Sequence, residues 1–353
     1  MSVRALRKPY HSIATLLLVT GLVACGGDDR KPDIAAVVAF GDSVSDVGTY
    51  APATVSGGGK FTINPGPIWV ENIAARYQLT VTPNIVGYGA NTSAYLRCPA
   101  PSCTGYAQGG ARVTDPNGVG KTEGALTLPI RDQIQNHLAA NAGRFGSNEL
   151  VLVFAGSNDV FVQLSEYGRL AAQQGPDIAL ATVQDAMTAA ANELVSYVRN
   201  EIIARGAEQV VVVNLPSISQ TPFGQKELDA NGRQVADVLV NTFNSLLERG
   251  IGTDQDDILF FSANQSFSAI YSAPAASGFI NNQDAACDPA KIAVLTLGQV
   301  TTGSSLFCNR STLTSGAEAD DRYQFADRVH PTPRTHQVFS DAVIQALQDK
   351  GWL

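Results

Sequence analysis

The chain has 353 residues, 44% hydrophobic and 16% charged, a globular composition with ample material for a core. Its formal charge of −8 argues against a nucleic-acid partner, because binding phosphate needs a basic footprint. Length alone predicts about two domains of ~150 residues each, an expectation that the motif positions overrule.

The N-terminal stretch "MSVRALRKPYHSIATLLLVTGLVAC" places basic residues before an apolar run from Ile13 to Val23 and small residues before Cys25. The run is short for a permanent membrane span and reads as the core of an export signal over residues 1–24. Leu22-Val23-Ala24-Cys25 resembles the lipobox of bacterial lipoproteins, which implies that Cys25 carries the lipid and becomes the new N-terminus. Several acyl chains on one cysteine anchor stably where one chain does not. Gly26 in place of an aspartate implies delivery to the outer membrane, and a secreted protein cut near Ala24 is the simpler alternative. No second long apolar segment follows, so the body is expected to be soluble, with the lipid as its only membrane contact. Residues 25–33 form a short solvated tether, and 34–353 form the domain proper.

Beyond the tether, strand and helix signals alternate. "IAAVVAF" (34–40), "ELVLVFA" (149–155), "EQVVVVN" (208–214) and "DILFFSA" (257–263) read as buried strands, and "PNIVGYG" (83–89) as a weaker one. Helices are predicted over 67–79 and 128–140, each with proline near its start, and over 177–206 and 237–250, each closed by glycine. A further helix is predicted over 334–351. Strand alternating with helix implies a parallel sheet covered on both faces, with ligands bound beyond the carboxyl ends of the strands. Two stretches, 90–126 and 262–325, fall outside the alternation. With residues 50–66 they are expected to rim a pocket. One helix after His330 the sequence ends at Leu353, so no membrane barrel is expected to follow.

Cys98, Cys103, Cys287 and Cys308 remain after export, an even number in an oxidising compartment. They allow three pairings, of which proximity favours Cys98–Cys103 and Cys287–Cys308. Without a C-x-x-C pair or a suitably spaced histidine, no metal is expected.

Three polar constellations abut the apolar runs. "FGDSVSD" follows the first strand, "GSNDV" follows the run at 149–155, and "FADRVHPTP" precedes the last helix. Each alone reads as turn chemistry with a helix cap. Together, in this order and at these boundaries, they read as acyl transfer. Ser43 is the candidate nucleophile, His330 the base that takes its proton, and Asp327 the carboxylate that orients the imidazole. The Asn158 amide and the Ser43 backbone N–H would meet the oxyanion. A third donor calls for a glycine whose backbone approaches the substrate closely. "GYAQGGARV" (105–113) supplies Gly109 and Gly110, and Gly110 is preferred.

This set resembles the GDSL lipases and esterases of the SGNH hydrolase superfamily. "FGDSVSDVG", "AQGGAR", "GSND" and "DRVHPT" resemble the family's first, second, third and fifth blocks, and "GPIWVENIA" (66–74) the helix after the first. An asparagine often stands near Gly105 in the family. The resemblance implies a three-layer α/β/α sandwich on a parallel, flavodoxin-like five-stranded sheet. It also implies ester hydrolysis through an acyl-enzyme, without metal or cofactor. Short-chain esters, phospholipids and acetylated sugars are all handled on that scaffold, so the acyl preference stays open. The polar, glycine-rich rims, without a continuous apolar lid, favour an esterase over a long-chain lipase. A monomer is expected.

Other features carry less. "GVGKTEG" (118–124) ends like a phosphate-binding loop, but Asp115 stands where its first glycine belongs. His11 leaves with the signal, and His137 and His336 read as surface or packing residues. Asp42 and Asp46 read as turn and helix-start groups, and Ser45 as a helix cap. Ser43 and His330 lie far apart in the chain and must meet, so one domain holds both. The rival from another class is a surface lipoprotein that keeps the fold as a binding module. It has no need for a base three residues from its orienting acid.

Overall fold

The computed structural model describes residues 1–2, 31–51, 59–87, 95–99, 103–252, 255–315 and 319–353. The export signal and Cys25 lie outside the described residues. Residues Pro32–Leu353 form one compact unit. Its chain runs through β1 (Ala36–Gly41), α1 (Trp69–Arg76), β2 (Ile85–Val86), β3 (Leu96–Arg97), α2 (Ile130–Ala140) and β4 (Glu149–Phe154). It continues through α3 (Ser157–Gln174), α4 (Pro176–Ser196), β5 (Gln209–Val213), α5 (Pro222–Lys226), α6 (Ala230–Ile251) and β6 (Ile258–Phe261). The last part comprises α7 (Ala263–Ser272), β7 (Asn281–Ala285), α8 (Pro289–Leu295), α9 (Ala319–Arg322), β8 (Tyr323–Phe325) and α10 (Pro333–Asp349).

The four strong apolar runs form one parallel sheet in the order β1-β4-β5-β6. Side chains alternate between its faces. Phe154 and Phe261 point to the side where Trp69 of α1 and Phe339 of α10 meet them edge-on. Phe40 points to the other side, against His137 of α2. Helices α1, α7 and α10 therefore make one outer layer, and α2, α4 and α6 the second, with α3 packed on α4 and α6. This is the expected α/β/α sandwich.

The sheet has four strands among the described residues, where five were expected. Beside β1 the fifth place holds single parallel bridges from Gly105 to Ala39 and to Pro83. Thr104, Tyr106 and Ala107 exchange backbone hydrogen bonds with Ala39, but the glycine-rich sequence beyond peels away toward the site. The weak strand at 83–89 shrinks to β2 and pairs antiparallel with β3.

Helix ends follow the predicted proline and glycine punctuation with one shift. Gly206 closes the helical run that begins at α4, with φ of 103°. At the end of α6 the cap is Gly252, not Gly250, which lies inside the helix. Helix α3, absent from the sequence reading, starts straight after the "GSND" turn. The stretch 262–325 is not merely irregular: it holds α7, α8, α9 and the parallel pair β7–β8. Both favoured disulfides are present, Cys98–Cys103 and Cys287–Cys308. Cys287 and Cys308 are buried in a small second core with Tyr50, Ile63 and Phe307. No helix among the described residues is long and apolar enough to cross a membrane.

Candidate active site

Ser43, Asn158, Asp327 and His330 each follow a strand, which is why residues so distant in sequence converge. Ser43 lies two positions past the end of β1, Asn158 in the first turn of α3 just after β4, and Asp327 and His330 in the turn between β8 and α10. That last turn is tied back on itself, with Ala326 N–H donating to the His330 carbonyl at 2.8 Å. The Thr332 side chain caps α10 by accepting from Thr335 N–H.

The Ser43 Oγ lies 2.8 Å from His330 Nε2. His330 Nδ1 lies 2.8 Å from Asp327 Oδ2 and 2.9 Å from Oδ1. An ionised carboxylate only accepts, so the Nδ1 proton points at Asp327 and the Nε2 lone pair faces the serine hydroxyl. Burial pushes the Asp327 carboxyl up. The charge of a protonated His330, the hydrogen bond from His330 and N–H donation from Val329 oppose that, and the carboxyl is held well below its ordinary 3.8. Asp327 is thus held ionised beside a protonated imidazole.

A family model for GDSL-like lipase/acylhydrolase matches residues 37–343, which span both Ser43 and His330. The chain belongs to the GDSL-like lipase/acylhydrolase family. It is accordingly a hydrolase of the esterase/lipase type. No curated protein matches it.

Around Ser43, His330 and Asp327, this GDSL hydrolase holds its glycine-rich segment with acids whose roles the sequence reading missed. Asp46 accepts from Gly48 N–H and Thr49 N–H with Oδ1, and from Gly109 N–H at 2.9 Å with Oδ2. Asp159 accepts from Val113 N–H at 3.0 Å and from Arg112 Nε at 2.9 Å. Between these clamps Ala111 N–H donates to Gln108, and the Ala111 carbonyl accepts from the Asn158 amide at 2.9 Å. Gly109 N–H is therefore committed, whereas Gly110 N–H has no partner among the described residues. Gly110 has φ of 79°, and a Cβ there would sit 1.9 Å from the Val119 carbonyl, so no side chain fits. Gly156, with φ of 119°, is equally constrained: a Cβ would press into the Phe243 ring at 2.6 Å. That close approach sets the start of α3 and hence the position of Asn158.

Ser45 caps no helix. Its Oγ accepts from the Trp69 indole N–H at 3.1 Å and ties the nucleophile turn to α1. His137 and His336 are fully buried and pack in the interior rather than on the surface. His137 stacks on Phe145, and burial holds His336 neutral, its pKa pushed down to about 3. Phe61 packs against the His330 ring with centroids 5.0 Å apart. Among the described residues no group of three or more His, Cys, Asp or Glu side chains could hold a metal ion.

Asp42 accepts from Val44 N–H with Oδ1, and its buried Oδ2 has no partner among the described residues. Burial pushes its pKa up to about 6, against the lowering effects of Val44 N–H and the His330 charge. The folded value lies above the ordinary 3.8, so the contribution to stability is complete below pH 3.8 and is lost as pH rises through about 6. Asp42→Asn should therefore raise the thermal midpoint at pH 8 by roughly 2–4 °C and leave it unchanged at acid pH. Melts at the two pH values check this.

Proposed function

We propose that the protein is a serine carboxylic ester hydrolase working through an acyl-enzyme on Ser43. The observation that carries this reading is the continuous hydrogen-bonded line from Ser43 Oγ through His330 to Asp327. As His330 Nε2 takes the hydroxyl proton, Ser43 Oγ bonds to the ester carbonyl carbon. The tetrahedral oxyanion is met by Ser43 N–H, Gly110 N–H and the second hydrogen of the Asn158 amide. The uncommitted Gly110 N–H supports its choice over Gly109. His330 returns the proton to the departing alcohol oxygen as the acyl C–O bond breaks. Water, deprotonated by the same nitrogen, then cleaves the acyl-enzyme to carboxylic acid and free Ser43.

The N-terminal motif supports export and anchoring through lipidated Cys25 at the outer membrane. In this reading the protein acts there as a monomer on an ester substrate. A fluorophosphonate probe tests the chemistry. It should label Ser43 in the folded protein and lose that label on denaturation before exposure. Absence of label from the native protein would favour the binding-module alternative. The same preparation assayed on acyl esters of increasing length, phospholipids and acetyl-xylan assigns the substrate class.

A further inference from the structure

Among the described residues the triad acid receives one hydrogen bond from outside its own turn. Asp327 Oδ1 accepts from Val329 N–H and His330 N–H, both at 2.9 Å, which fix the carboxylate within the 327–330 turn. Oδ2, which like Oδ1 lies within 2.9 Å of His330 Nδ1, also accepts from Ser305 N–H at 2.8 Å. Ser305 opens the short 3₁₀ turn Ser305–Phe307, and Cys308 follows directly.

Cys308 is bonded to Cys287, and Cys287 N–H donates at 2.9 Å to the carbonyl of Ala326, the residue preceding Asp327. The connection closes on itself. From Asp327 it runs back to Ala326, across to Cys287, through the disulfide to Cys308, and along the turn to Ser305 and the carboxylate. Asn64 locks the same turn from the other side, its amide donating to the Ser305 carbonyl at 3.1 Å and to the Cys308 carbonyl at 3.2 Å. The Ser305 side chain contributes no hydrogen bond among the described residues, so the backbone N–H is what the arrangement presents.

We infer that the Cys287–Cys308 disulfide and Ser305 form a positioning brace for the triad acid, holding Asp327 Oδ2 against His330 through the Ser305 N–H. The brace rests on the reading of Ser43, His330 and Asp327 as a catalytic triad. It acts through Asp327 and touches no reacting atom. Losing the donor leaves the carboxylate held by the 327–330 turn alone, which loosens its alignment with the imidazole and weakens proton transfer without altering substrate contacts. A charge-assisted hydrogen bond of this kind corresponds to about 10- to 100-fold in rate.

Ser305→Pro deletes the donor with little demand on the backbone. Ser304 has φ of −54° and ψ of 129°, which suits a residue before proline, and Ser305 is the first residue of its turn. Cys287→Ala/Cys308→Ala opens the ring while keeping the N–H in the chain. With p-nitrophenyl acetate, at temperatures well below each thermal midpoint, both folded variants should lose about 10- to 100-fold in kcat with KM within about twofold. Fluorophosphonate labelling of Ser43 should slow in proportion. Parent kcat in folded Ser305→Pro overturns the brace, as does a loss carried by KM alone. Should Ser305→Pro fail to fold, the cysteine variant decides by the same criterion. Ser43→Ala, run alongside, separates the two ideas. If it is inactive while the brace variants keep parent kcat, only the brace fails. If Ser43→Ala retains turnover, the triad reading fails with it.

Discussion

Ser43→Ala is expected to abolish ester turnover, with kcat falling about 10⁵- to 10⁶-fold while the protein stays folded. The size follows from what is removed. No other hydroxyl takes the place of Ser43 Oγ at 2.8 Å from His330 Nε2, so the covalent route closes altogether. What survives is the modest acceleration that oriented donors give to attack by water. Stability changes little, because the deleted oxygen makes a single hydrogen bond among the described residues. His330→Ala should fall by a similar factor, and the double variant should fall no further than either alone, since the two groups act as one unit. Initial rates with p-nitrophenyl acetate, alongside circular dichroism, check all three. A folded Ser43→Ala protein that turns over within tenfold of the parent removes Ser43 from the mechanism.

Asp327→Asn is expected to cost about 10⁴-fold in kcat through the proton arrangement rather than through geometry. An amide NH₂ facing His330 Nδ1 forces the proton onto Nε2, which then donates to Ser43 instead of accepting from it. Turning the amide over does not rescue the site. Val329, His330 and Ser305 all aim N–H groups at the carboxylate, so either orientation sets donor against donor in a buried place. The variant should therefore also lose about 1–3 kcal/mol of stability at pH 7. The pH dependence carries a sign. Because the folded carboxyl sits below its ordinary 3.8, its contribution is present above that value and is lost as pH falls further. The parent should lose stability faster than Asp327→Asn in that acid range, which paired acid melts would show.

Much of the site was legible because its residues border elements that the sequence announces. Four apolar runs marked the strands, and Ser43 and Asn158 stand where two of them end, while proline marked the start of α10 just after His330. Cysteine spacing favoured the observed disulfides out of three possible pairings for a similar reason, since partners lie 5 and 21 positions apart in the chain. The illegible part was long-range. Nothing local in "GSND" says that Asp159 reaches back to Arg112 and Val113, and Asp46 finds Gly109 only through the fold. The missing fifth strand has the same origin. Gly105 takes a single bridge to β1, and a lone bridge leaves no periodic pattern to read.

The hydroxyl and the imidazole that it meets stand 287 positions apart. Contacts of such span form late, after the loops between them have paid their closure entropy. A chain with a finished sheet but an undocked 327–332 turn is thus chemically silent. Appearance of ester turnover during refolding would time the arrival of that turn, not the assembly of the core.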